Sequence, residues 1–70
     1  MNYLAIVEKG QKSFGAYVPD LPGCVAAAKT REEVVTLIRE AIEFHIEGLR
    51  EYGLPVPVAC STVEVIKVAA

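Results

Sequence analysis

A chain of 70 residues with 7 Lys and Arg against 9 Asp and Glu, net charge −2, is one small domain spanning residues 1–70. It has no surplus of cations from which to build the basic face of a stand-alone nucleic-acid binder. Its 2 cysteines and 1 histidine allow at most a single disulfide and make no zinc set. No apolar run approaches the ~20 residues of a membrane span and no leader is visible at the start, so the expectation is a cytoplasmic protein with free thiols. Apolar residues make up 53% of the chain, more than so small an interior holds, so part of that surface is expected to meet another chain, in a homo-oligomer (dimer or tetramer) or with a partner.

The first predicted element is a strand over residues 2–8. Alternation sets Tyr3, Ala5 and Val7 on one face and Leu4, Ile6 and Glu8 on the other. Both faces are largely apolar, which predicts cover on both sides and makes Tyr3, Ala5 and Val7 candidate interface residues. Lys9-Gly10-Gln11-Lys12 reads as a hairpin loop, and 13–18 as a second strand with Phe14, Ala16 and Val18 opposite Tyr17. Pro19 has no N–H for a ladder and closes that strand. In Leu21-Pro22-Gly23-Cys24, Pro22 presets φ at the second turn position and Gly23 accepts positive φ at the third, a type II turn. Residues 24–28 return as a third strand of small side chains.

Thr30-Arg31-Glu32-Glu33 is a capping box. The Thr30 hydroxyl is placed to accept from the Glu33 amide, and the Glu33 carboxylate to reach back to the Thr30 N–H. The helix it opens is predicted from Arg31 to about Tyr52. Its apolar stripe is Val34, Ile38, Ala41, Ile42, His45 and Leu49, flanked by Val35, Ile46, Leu37 and Phe44. Gly53 stops it and Pro55 prevents continuation. Pro55 and Pro57 favour an extended connector, and 61–68 reads as a last strand. The predicted architecture is α+β, in the order β-β-β-α-β, with a small, mainly antiparallel sheet and one long helix on one face.

Several of these features occur together in a known family. The apolar strand from Tyr3, the run Pro19-Asp20-Leu21-Pro22-Gly23-Cys24, Thr30 with Glu32-Glu33, Arg39-Glu40-Ala41-Ile42-Glu43-Phe44-His45 through Gly48-Leu49, and Gly53-Leu54-Pro55-Val56-Pro57 together resemble the HicB-like antitoxins. The resemblance covers nearly the whole chain. It implies a partial ribonuclease H-like fold without the catalytic carboxylates, whose partner is a small basic mRNA-cleaving HicA-like toxin that it binds and occludes. Full-length members usually add a C-terminal DNA-binding segment; this chain ends at Ala70, so direct DNA binding is not expected of it. Ala28-Lys29 is a second departure, standing where the family more often has Gly-Asp.

Each singled-out residue has a plainer reading beside the functional one. Glu8, Asp20 and Glu64 are too scattered to converge on metal ions, so no catalytic residue, metal or cofactor is expected. Asp20 either caps its turn through backbone N–H groups or pairs with a cation of the partner. Tyr17 and Leu21, beside a rigid turn, are candidate partner-binding anchors together with Asp20, or else dimer packing. His45 reads as a packed helix residue and Cys24 as a small core residue. Pro22, Gly23, Thr30, Glu33 and Gly53 are structural turn and cap positions. The acidic helix face, Glu32, Glu40, Glu43, Glu47 and Glu51, is either solvated or meets a basic protein. The rival to the antitoxin reading is an orphan homo-oligomeric scaffold or small-ligand binder with no toxin.

Overall fold

The computed structural model describes residues 1–69. Its elements are β1 (Ile6–Lys9), β2 (Phe14–Tyr17), β3 (Val25–Ala28) and α1 (Arg31–Glu51), an α+β fold. The sheet runs β1-β2-β3, antiparallel throughout, with Ile6, Tyr17 and Val25 side by side at one end and Lys9, Phe14 and Ala28 at the other. The helix covers one face. Ala16, Val18, Leu21, Cys24, Val34 and Ile38 form the buried core, and Tyr3, Ala5, Val7, Phe14, Ala26 and Ala28 pack against it. Alanines at 26 and 28 leave room for the helix to lie close over β3.

The helix starts where its cap chemistry sets it. Thr30 holds an extended backbone and its Oγ1 accepts from the Glu33 N–H at 3.1 Å. The Glu33 carboxylate takes the proton of the Thr30 hydroxyl, also at 3.1 Å, where the capping box had it reach the Thr30 amide. A hydroxyl donates while it accepts, so one side chain serves both partners. At the other end, the Gly53 N–H donates to the Arg50 carbonyl at 3.1 Å and the Leu54 N–H to the Leu49 carbonyl at 2.8 Å, with Gly53 at φ 67°. That is a Schellman stop, which needs the left-handed backbone that glycine adopts freely.

Helix and sheet are unequal in length. At ~1.5 Å per residue the 21-residue helix is about 31 Å long, whereas 4-residue strands at ~3.3 Å per residue span about 13 Å. The helix therefore runs well past the sheet. Val34 and Ile38, over the strands, are buried; Ala41, Ile42, His45, Ile46 and Leu49 are half-buried; Phe44, on the far side, is exposed.

The first strand starts at Ile6, not at residue 2 as predicted, and the predicted last strand does not form. Residues 61–68 join no ladder: the chain after Gly53 has neither helix nor strand among the described residues, and 62–69 are exposed. A strand exists only with a hydrogen-bonding neighbour, and within one copy this segment has none. The Cα radius of gyration is 13.9 Å, against about 11 Å for a compact domain of this length, and the longest dimension is 48 Å.

Candidate functional site

The link between β2 and β3 is two consecutive tight turns. The Leu21 N–H donates to the Val18 carbonyl at 3.0 Å and the Cys24 N–H to the Leu21 carbonyl at 3.1 Å, while the Val18 N–H closes the loop on the Cys24 carbonyl at 3.2 Å. Each turn has a proline at its second position, Pro19 and then Pro22, and Gly23 takes φ 84° at the third position of the second turn. Leu21, where the turns meet, is 0% exposed and plugs the core under Val34 and Ile38. It therefore offers no side chain to a partner in this state, contrary to the anchor role predicted for it; a rigid loop carrying one large apolar residue serves the interior first.

Asp20 points outward from the first turn, and the C-terminal segment folds over it. One carboxylate oxygen, Oδ2, accepts the N–H groups of Cys60 and Ser61, both at 2.9 Å. The other, Oδ1, accepts the Ser61 hydroxyl at 2.7 Å and the Cys60 thiol at 3.3 Å. Asp20 thus neither caps its own turn nor stands free for a partner's cation; it ties down the chain about forty residues on. The Ser61 backbone and hydroxyl donors, then those of Cys60, hold its carboxyl down from 3.8 to about 2. The same contact pushes the Cys60 thiol up, because the hydrogen bond to Asp20 and its negative charge both oppose a thiolate. Burial raises the Cys24 thiol. Neither cysteine is the activated thiol of a redox or nucleophilic site. A second tie lies nearby, where the Tyr3 hydroxyl donates to the Pro57 carbonyl at 2.5 Å.

The face of the sheet away from the helix is open. Strand alternation directs Ile6, Tyr17, Val25 and Ala27 to it, and the register aligns Ile6, Tyr17 and Val25 in a row. Tyr17 is 39% exposed and Val25 65%. Tyr3, Ala5 and Val7, the predicted interface residues, are packed against the core. Alternation gave the two sets of residues but not which of them the helix would cover. The row was legible only in part, because Val25 and Ala27 are short and gave no sign of an outward face.

No three His, Cys, Asp or Glu side chains converge into a metal-holding group among the described residues. No helix there is long and apolar enough to cross a membrane. The arrangement presents an apolar row beside a tied-down loop.

Known proteins resemble this chain in sequence and fold. The family model described as "HicB_like antitoxin of bacterial toxin-antitoxin system" matches residues 3–70. A UPF0150 protein of Thermoplasma acidophilum is 36% identical over 58 residues, covering 81% of this chain and 84% of its own length. A protein described as an uncharacterized 14.9 kDa protein in the rep-hol intergenic region of Haemophilus phage HP1 is 43% identical over 51 residues, 73% of this chain and 38% of the phage protein. Among solved structures, one chain of a HicA3 and HicB3 toxin-antitoxin complex superposes with a TM-score of 0.68 at 34% identity, covering 79% of this chain. The present chain accounts for 64% of that chain's length.

Proposed function

Since the chain belongs to the family of HicB-like antitoxins of bacterial toxin–antitoxin systems, we propose that it binds a small, basic, mRNA-cleaving HicA-like toxin in the cytoplasm and blocks it by occupying its surface, with no chemistry of its own. The observation that carries this reading is the likeness to a chain of the HicA3 and HicB3 complex. The open row Ile6, Tyr17 and Val25 is the contact surface proposed here, with Tyr17 as its anchor: large, partly exposed and held by a strand whose other face is core. The acidic helix face, from Glu32 to Glu51, supplies a field of the sign that draws in a basic protein and speeds the encounter.

The test is capture of the tagged chain from its native cells, with mass spectrometry of what accompanies it. A small basic protein in stoichiometric yield is expected, whose expression alone stops growth and whose effect the chain reverses. Tyr17→Asp is expected to abolish that reversal while the helical circular dichroism stays unchanged. Recovery of the chain alone under conditions that preserve weak complexes would overturn the antitoxin reading in favour of the orphan homo-oligomer. Full reversal by the Tyr17→Asp chain would overturn the assignment of the contact surface.

A further inference from the structure

We propose that residues 62–68 are a β-strand made for a second copy of this chain, and that two copies exchange these segments, each laying its own along the free edge of the other's β1.

The segment has strand chemistry and no partner. Thr62-Val63-Glu64-Val65-Ile66-Lys67-Val68 is rich in β-branched side chains and contains neither Gly nor Pro. Yet Val65 is 93% exposed, and Val63, Ile66 and Val68 are exposed with it. Four large aliphatic side chains in seven residues facing water is an arrangement that a second surface resolves.

Its own domain is not placed to receive it. Asp20 grips Cys60 and Ser61 at the turn joining β2 to β3, and beyond that grip residues 62–69 are exposed and join no ladder. The receiving edge has the complementary lack. β1 is the outer strand of the sheet, so its outward N–H and C=O groups are unpaired. Tyr3, Leu4 and Ala5, leading into it, are half-buried outside any ladder. The helix lies mainly over β3 and β2, and beside the start of β1 it leaves a hollow of about 490 Å³ whose apolar lining is Met1, Tyr3, Val35, Ile38, Ile42 and Ile46. A strand added at this edge satisfies the ladder and directs alternate side chains into that hollow. Exchanged reciprocally between two copies, each giving its strand to the copy it receives one from, the segments close as a two-fold dimer.

The proposal concerns the chain by itself and does not depend on a toxin. Its test is the mass of the purified full-length chain by sedimentation or light scattering over a range of concentrations, for the unsubstituted chain, for Val65→Pro and for Val65→Thr. Proline removes a ladder donor in mid-segment, at a side chain that touches nothing in the monomer, so the helix signal should persist. Expected are a particle of twice 7.6 kDa for the unsubstituted chain and for Val65→Thr, and at least tenfold weaker self-association for Val65→Pro. Hydrogen exchange should show the amides of 62–68 and those of 3–9 that are not bonded to β2 protected together in the dimer and exposed together in Val65→Pro. A monomer at every concentration overturns the proposal, and so does a dimer indifferent to the proline. Protection on 25–28 in place of 3–9 overturns the choice of edge.

Discussion

Asp20 is where two distant parts of the chain meet, and its protonation decides whether they stay together. Its carboxyl is held near 2 in the folded protein against 3.8 when free. A depressed value means that the stabilisation is complete above the free value and disappears as pH falls through the folded one. The tie of Cys60 and Ser61 is therefore expected to be constant at neutral and mildly acidic pH and to be lost between about 4 and 2. Amide exchange at these two residues, followed by NMR along a pH series, checks this; Asp20→Ala should show the released pattern already at neutral pH. Of the two turns around Asp20, the second was legible in the sequence, because Pro22 and Gly23 act on their own backbone; for the first, Pro19 gave only the end of the strand. The tie was not, because a bond across a separation of 41 residues leaves no periodic or compositional trace.

On the scale of single elements, the helix is secured at its ends and along one short stretch. Thr30→Ala removes the acceptor of the Glu33 amide and is expected to cost about 1 kcal/mol in chemical denaturation. Phe44→Ala, at a side chain 77% exposed, should change stability by less than about 0.5 kcal/mol, although the size of phenylalanine alone argues for more. The contrast follows from which way the side chain faces: Ile42 and Ile46, on the same stretch of helix, are half-buried, while Phe44 is exposed. The helix was readable in advance at both termini, through the Thr30 cap and the Gly53 stop, and along its stripe. Its excess over the strands was not, because periodicity tells which face is apolar and not how far the opposing layer extends. Residues 61–68 find no place in the sheet of one copy for a related reason. Their composition is that of a strand, but pairing belongs to a neighbour that the segment cannot name.

For the whole molecule, stability rests on a few side chains. A domain of 70 residues at about 0.05–0.15 kcal/mol per residue has about 3.5–10 kcal/mol in total. Leu21→Ala empties a fully buried position and should remove about 2–5 kcal/mol of it, enough to bring the midpoint of urea unfolding down by a large fraction of its value. The order in which the molecule is assembled also follows from the contacts that close it. The Tyr3–Pro57 bond spans 54 positions, and the Asp20 tie needs Ser61, whereas the sheet and helix are complete at Glu51. When the unfolded chain is diluted out of denaturant, the sheet and helix, whose contacts are closer in sequence, settle before these ties close. Each refolding copy thus passes through an interval in which its core is formed while its β1 edge and its segment 62–68 are both unclaimed. The concentration at which refolding is carried out sets how soon that segment meets another copy's edge.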